Sequence, residues 1–222
     1  MSIFNKINDI ILLCDKPSIE LEKLIKEEEF IKSEFNIIGK LINVPQDKKF
    51  HPEGNVWNHT KMVVDLAAKI KGYSNNSRNF MWASIFHDIG KVETTKFIKG
   101  RYRSYNHDIE GEKITYKILK NHMNEEDSMN ISEIVRFHMH HIYILKDLPF
   151  SNIEKLTESN NYKDIILLFM CDKLGRGNGN IEEKIDTINE VKLILDKLER
   201  VKGNINIEFN ENLEEIVNTV MK

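Results

Sequence analysis

The chain has 222 residues, of which 41% are hydrophobic and 30% charged, a composition typical of a globular domain that folds without disulfides. Its formal net charge of −3 excludes a surface that is basic throughout, so a polyanion would have to bind a local group of cations. The two cysteines are far apart in the sequence, which excludes a disulfide framework and a CxxC metal site and leads us to expect a cytoplasmic protein.

Apolar residues recur at intervals of three and four along most of the chain, and this pattern predicts an all-α fold. The predicted helices begin near Ser18 and Asn58, both expected as N-caps, and then span 79–87, 108–119, 128–141, 165–174, 182–201 and 212–221. The longest apolar run, residues 165–171, is far shorter than the ~20 residues of a membrane span, so we expect no membrane partner.

Two stretches depart from the helical pattern. Residues 94–105 predict a short β-hairpin that turns at Lys99-Gly100, and GRGNGN at 175–180 predicts a flexible break. We predict that residues 1–50 form an N-terminal helical segment packed on the core and that residues 51–222 form the main domain. The sequence leaves the oligomeric state open.

Several of the eight histidines lie at the edges of predicted helices, beside apolar residues. His59 is near the start of one helix, His87-Asp88 ends another, and His107 begins a third. Asp172 is the only acid in the apolar stretch ILLFMCDKLG, where a lone carboxylate is costly unless it is paired with a cation. One divalent ion would neutralise the two aspartates and bind several imidazoles at once.

Imidazole and carboxylate donors suit Mn, Fe, Co, Ni or Zn, whereas a site made only of oxygen donors would suit Mg or Ca. His87 and Asp88 are adjacent, so they can face one site only where the helix ends, and Ile89-Gly90 supplies such an end. The spacing leaves a second interpretation open, in which each histidine is a satisfied core residue and Asp172 bonds a neighbouring loop.

Four stretches give the chain a resemblance to a known family: HPEGNVWNHTKMVVD at 51–65, HDIGKVETT at 87–95, GRYRSYNHDIEGE at 100–112 and CDKLGRG at 171–177. Their order of His, His-Asp and Asp resembles the HD superfamily of metal-dependent phosphohydrolases. The surrounding residues resemble the HD domain of some bacterial tRNA nucleotidyltransferases, the CCA-adding enzymes. We find no nucleotidyltransferase motif in the chain, so only the hydrolase activity is carried over.

This resemblance implies an HD-domain helical bundle with a metal centre. The implied metal ligands are His59, His87, Asp88 and Asp172, and Asp88 would also be a catalytic proton acceptor. His107 and His138 would bind a second ion, with a phosphate contact as the alternative role for His107. The cofactor would be one or two divalent transition metal ions, Mn, Fe, Co, Ni or Zn, and Mg is also open.

A phosphate substrate needs cations near the metal ligands. Lys91 follows His87 by one helical turn and Arg176 follows Asp172 by one turn, so both are candidate phosphate contacts, and Lys91 is also a candidate catalytic residue. Arg101 and Arg103 in the predicted hairpin are candidates for bidentate contacts with phosphate or base. A solvated lysine and an exposed charged hairpin remain the alternatives.

The resemblance implies hydrolysis of a phosphomonoester or a 2′,3′-cyclic phosphodiester by metal-activated water. The predicted partner is a nucleotide or an RNA terminal phosphate. Two other functions stay open: a non-catalytic nucleotide- or RNA-binding module on the same scaffold, and a di-iron oxygenase. The four retained ligands argue against the first, and the motifs that resemble tRNA-processing enzymes do not favour the second.

Overall fold

The periodic apolar residues of the chain form helices that pack around one hydrophobic core. The computed structural model describes residues 1–47, 49, 51–149, 151–176, 181–203 and 207–221, and for residues 202 and 207–211 the backbone alone. The predicted all-α fold is confirmed, with one two-stranded antiparallel hairpin in the described part of the chain.

The helices of the first half are α1 (Ile3–Leu13), α2 (Pro17–Leu24), α3 (Glu28–Ile31), α4 (Asn36–Lys40), α5 (Val56–Ile70), α6 (Ser77–Phe86) and α7 (Lys91–Thr94), with 3₁₀ turns at Leu41–Asn43 and Lys71–Tyr73. Strands β1 (Thr95–Ile98) and β2 (Arg101–Ser104) follow. The second half contains α8 (His107–Leu119), α9 (Glu125–Phe137), α10 (His140–Leu145), α11 (Ile153–Glu158), α12 (Tyr162–Leu174), α13 (Ile181–Lys202) and α14 (Ile207–Met221).

Helix α12 is at the centre of the fold. It contacts α5, α6, α9, α13 and α14, so it is covered on several sides. This explains why residues 165–171 are apolar without a polar face, since each of them is buried. Helices α5, α6 and α9 pack around α12. His59 lies on α5, His87 and His138 end α6 and α9, His107 lies on α8, and Asp172 lies on α12 itself.

The N-terminal helices share the core of the rest of the chain. Helix α1 packs on α6 and α2 packs on α5. The ring of Phe4 stacks on Trp82 at a centroid distance of 5.1 Å, and Ile7 and Ile11 are fully buried. The division of the chain at residue 50 stays a prediction.

The hairpin prediction is confirmed, because β1 pairs antiparallel with β2. Lys99 and Gly100 both have positive φ, 50° and 77°, as a two-residue hairpin turn of the favoured twist requires. No described helix has both the length and the apolar character needed to cross a bilayer.

Three boundary predictions were wrong. Ser18 does not cap α2, because Pro17 already occupies the first turn and Ser18 instead donates hydrogen bonds to Asp65. Asn58 does not cap α5 either, since the Asn55 side chain accepts its N–H at 2.8 Å. The helix predicted over 128–141 is interrupted between α9 and α10. Of the predicted break at 175–180, residues 177–180 lie outside the described residues.

Candidate metal centre

Helices α5 and α12 bring the first two predicted ligands together. His59 lies in the first turns of α5 and is fully buried, and Asp172 lies near the end of α12 with 3% of its surface exposed. The Nε2 atom of His59 is 2.8 Å from Oδ1 of Asp172. The carboxylate that the sequence left without a partner in an apolar stretch therefore meets an imidazole from 113 positions away.

The His87-Asp88 pair lies where α6 ends. His87 still has helical backbone angles, and the turn that follows, closed by the Ile89 N–H on the Phe86 carbonyl, aims Asp88 at the same space. Gly90 lets α8 approach this turn closely, because a Cβ there would lie 2.0 Å from the carbonyl oxygen of His107. The close approach brings α7 against α8 and sets His107 beside Asp88.

Three histidines are held in the same way, each by the backbone carbonyl three residues earlier. The Nδ1–H of His87 donates to Ser84 O at 2.8 Å, that of His107 to Ser104 O at 2.7 Å and that of His138 to Val135 O at 2.6 Å. A carbonyl only accepts, so each Nδ1 carries the proton and each Nε2 has a free lone pair. All three Nε2 atoms are buried and lack a hydrogen-bond partner within the described residues.

Asp88 lies between these Nε2 atoms. Its Oδ2 is 3.4 Å from Nε2 of His87 and 3.9 Å from Nε2 of His59. Its Oδ1 is 3.5 Å from Nε2 of His107 and 3.7 Å from Nε2 of His138. One carboxylate thus faces histidines from α5 and α6 with one oxygen and histidines from α8 and the end of α9 with the other.

The donor atoms of the six predicted ligands form two compact groups. His59, His87 and Asp172 form one, Asp88, His107 and His138 form the other, and within each group the donor atoms lie within 4.8 Å of one another. Neutral imidazoles with free lone pairs and ionised carboxylates are the ligands that divalent transition metals prefer. The residues fit two such ions better than they fit a satisfied core, which would not leave three buried nitrogens unpaired.

The protonation states agree with this interpretation. Burial lowers the pKa of His87, and burial together with the Lys91 charge lowers the pKa of His107 to about 4, so both imidazoles are neutral at pH 7. Asp172 is ionised. Burial alone would raise its pKa, but the charge of Arg176 and the hydrogen bond with His59 outweigh burial and hold the pKa well below its usual range.

Asp88 is kept ionised in a similar way. Burial raises its pKa, but the charge of Lys91, together with the neighbouring imidazoles of His87 and His138, outweighs burial and holds the pKa well below its usual range. For His59, burial lowers the pKa, but contacts with Asp172 and Glu53 outweigh burial and raise it.

Lys91 and Arg176 both reach the centre. The Nζ of Lys91 is 2.7 Å from Oδ2 of Asp88 and 3.0 Å from Oε1 of Gln46. The Arg176 guanidinium pairs with both oxygens of Asp172 through Nε and Nη2. Each cation therefore contacts a carboxylate of the centre.

A pocket of about 400 Å³ opens over the centre. Asp88, Lys91, His107, Asp172 and Arg176 are part of its lining. The remaining lining residues come from the loop before α5, from β2, and from α10 and the residues that flank it: Pro45, Gln46, Asp47, His51, Tyr102, Ser104, Met139, Ile142 and Lys146.

Arg101 and Arg103 are not among the lining residues. Residues of β2 alternate between two faces, and Tyr102 and Ser104 occupy the face toward the pocket. The two arginines therefore lie on the opposite face, and the Nη1 of Arg103 donates to the Tyr105 hydroxyl at 2.6 Å. Direct contact of these arginines with a phosphate in the pocket stays a prediction that this placement does not favour.

Sequence reasoning missed Glu53. Its Oε1 is 2.9 Å from Nδ1 of His51 and 3.2 Å from Nδ1 of His59, and its side chain is only 8% exposed. It lies in a loop six residues before His59, where no periodic pattern marks a side chain as buried. His51, given little weight, lines the pocket, whereas His122 pairs with Glu34 away from it.

The chain matches known proteins over this same region. The HD domain family model matches residues 56–200. The multifunctional CCA protein of Actinobacillus pleuropneumoniae is 24% identical over 169 residues, which are 73% of this chain and 40% of that protein. The multifunctional CCA protein of Neisseria meningitidis is 26% identical over 173 residues, 75% of this chain and 40% of that protein.

The chain thus spans about two-fifths of the length of these curated relatives. The family match covers well over half of the chain, and its range includes every residue of the two donor groups. The predicted resemblance is confirmed, and the chain belongs to the HD domain family.

Proposed function

We propose that this protein is a metal-dependent phosphohydrolase that hydrolyses a phosphomonoester or a 2′,3′-cyclic phosphodiester of a nucleotide or an RNA end. One observation carries the proposal: Asp88 faces the histidines of both donor groups, one oxygen to each side, and lines a pocket that Lys91 and Arg176 also line. Such a pocket would bind an anionic phosphate group between the two cations and the ions of the centre.

His59, His87 and Asp172 would hold one ion, and His107 and His138 would hold a second, with Asp88 between the two groups. Bound divalent ions would supply a water of lowered pKa and withdraw charge from the phosphoryl oxygens. Since four of the six donors are imidazoles, we propose Mn, Fe, Co, Ni or Zn in preference to Mg.

Lys91 and Arg176 would neutralise the charge of the phosphate. Their charges outweigh the effect of burial on Asp88 and Asp172 and hold the pKa of each carboxyl well below its usual range. A carboxylate with so low a pKa is a weak base at pH 7, so ligation is a better supported role for Asp88 than proton acceptance. The Lys91 ammonium, with three donors, can hold a phosphoryl oxygen while it stays near Asp88.

The test is metal-dependent turnover. Metal-stripped protein is repopulated separately with Mn, Co, Ni, Zn or Mg and assayed for phosphate release and for opening of 2′,3′-cyclic nucleotides. Asp88→Asn is the matched variant, because it keeps the size of the side chain and removes the charge between the two groups. We expect turnover that returns with a transition metal and falls at least 10³-fold in Asp88→Asn.

Stoichiometric metal binding without turnover of any substrate would contradict the proposal and favour the non-catalytic binding module. Iron-dependent oxygen consumption without phosphate release would favour the oxygenase. Phosphate release under anaerobic conditions excludes that alternative.

A further inference from the structure

The hairpin carries an unusual surface beside the pocket. Residues 95–105 contain four cations and three aromatic residues and no acid, in a chain whose net charge is −3. The aromatic side chains are solvent-exposed, with exposed fractions of 66% for Phe97, 41% for Tyr102 and 60% for Tyr105. A group of neighbouring exposed aromatic side chains is typical of an interaction surface.

The register of the two strands connects this surface to the pocket. Phe97 pairs with Tyr102 and Thr95 pairs with Ser104, so these four residues share one face, which we name the aromatic face. Tyr102 and Ser104 line the pocket, and the ring of Phe97 lies 5.1 Å from that of Tyr102. The aromatic face therefore continues the pocket wall outward, from the metal centre to solvent.

The cations lie on the other face and at the turn. Lys96 pairs with Arg103 across the strands, and Arg101 lies opposite Ile98. Lys96 and Arg101 are exposed, and because the hairpin is only two strands wide, their long side chains can extend past its edges toward an RNA strand lying on the aromatic face. Arg103 also lies over the ring of Tyr105, with its Cζ 5.8 Å from the centroid.

We propose that the aromatic face binds single-stranded RNA that ends in the phosphate processed in the pocket. The terminal base stacks on Tyr102, the preceding base stacks on Phe97, and the cations attract the backbone phosphates. This inference rests on the proposed function and deepens it, because it makes the substrate an RNA end and not a free mononucleotide. Stacking rings with flanking cations are how proteins bind single strands without reading their sequence, and a 2′,3′-cyclic phosphate arises only where a 2′-hydroxyl is present.

The binding test needs no turnover. The full-length, metal-stripped chain is titrated into a fluorescently labelled RNA of about six nucleotides with a 3′-phosphate, and anisotropy reports the Kd. Phe97→Ala is expected to weaken binding roughly 5- to 10-fold. Phe97→Leu should weaken it too, since leucine keeps apolar bulk but has no ring, whereas Met129→Ala, at an exposed position of α9, should not.

Two further measurements probe the charges and the partner. Replacing Lys96 and Arg101 with Ala should lower the slope of log Kd against log salt by about 1 to 1.5, as two lost phosphate contacts on a single strand predict. A polyglutamate peptide is the competing acidic partner. If it displaces the RNA at equal charge concentration, with the same dependence on Phe97, an acidic protein is the partner and the inference is wrong.

The catalytic readout is a ratio. We compare kcat/KM for the RNA end with kcat/KM for a 2′,3′-cyclic mononucleotide, and expect Phe97→Ala to lower the ratio about 5-fold or more. An unchanged ratio and an unchanged Kd would overturn the inference while leaving the hydrolase proposal intact. Absence of turnover for both substrates would instead defeat the proposed function, and the anisotropy result would then decide the RNA surface alone.

Discussion

At the scale of single residues, the centre depends on how each imidazole is aimed. His87, His107 and His138 donate Nδ1–H to the carbonyl three residues earlier, so their Nε2 lone pairs converge without help from an ion. Such contacts behind the metal ligands set the tautomer and tune affinity in metalloproteins. The site is therefore preorganised.

His138 tests whether there are two ions. It belongs only to the group with Asp88 and His107, so His138→Gln should lower the bound metal from two equivalents toward one and leave the group of His59 filled. Elemental analysis after dialysis against excess metal measures this. His122→Gln is the matched control, because His122 pairs with Glu34 outside the centre. Equal metal content in His138→Gln and the unmodified chain would contradict a second ion at this position.

Glu53 is expected to orient His59. Its Oε1 is 3.2 Å from Nδ1 of His59, so Glu53→Gln should leave the fold intact and weaken metal binding about 10- to 100-fold. Competition with a chelator of known affinity reports the change. Glu126→Gln, at an exposed position of α9, should have no effect. If Glu53→Gln binds metal as tightly as the unmodified chain, the glutamate does not position His59.

At the scale of elements, Gly90 allows α7 and α8 to meet. A Cβ at this position would lie 2.0 Å from His107 O and 2.6 Å from Gly111 N, and both of these atoms are backbone. Gly90→Ala should therefore cost about 3 kcal/mol of unfolding free energy and displace His107 from Asp88. Gly72→Ala is the control, since a Cβ there meets nothing within 4 Å. Similar urea midpoints for the two variants would show that the helices can separate without cost.

Asp164 links the start of α12 to the turn before α6, where its Oδ1 accepts the N–H of Asn75 at 2.8 Å. Burial raises the pKa of this carboxyl to about 6, so the folded chain keeps a proton that the unfolded chain releases near pH 4. The folded state binds more protons in that window, so the stability contributed by Asp164 falls as pH rises from about 4 to about 6.

Asp164→Asn cannot titrate. Relative to this variant, the unmodified chain should lose about 3 kcal/mol of unfolding free energy between pH ~4 and pH ~7. Urea denaturation at several pH values across this window measures the difference, and Asp186→Asn at an exposed position of α13 provides the comparison. Parallel pH profiles for Asp164→Asn and the unmodified chain would show that Asp164 does not contribute in this way.

At the scale of the whole molecule, the helical pattern was predictable because it depends on local spacing, whereas the ligand set, which the resemblance supplied, stays a prediction. The apolar pattern predicted the helix over 165–174, which is α12, and the isolated carboxylate of Asp172 indicated a buried partner. The hairpin was predictable too, from its turn at Lys99-Gly100. Which of its faces meets the pocket was not, since aromatic and basic residues alternate along β2 and only tertiary packing selects Tyr102 over the arginines. Glu53 was not predicted because it lies in a loop, where no periodic pattern of apolar residues indicates which side chains are buried.

The preorganised imidazoles also bear on how the protein would acquire its metal in a cell. Since backbone carbonyls already orient these imidazoles, metal binding would need no rearrangement of the chain. A cage built mainly from imidazole binds first-row ions in the general rising order from Mn to Cu, whatever the reaction needs. The affinity of the centre alone would favour the ion that binds most tightly, which need not be the ion that the reaction requires. The ion that occupies the centre would then depend on which metals the cell makes available, and the activity would change with that supply.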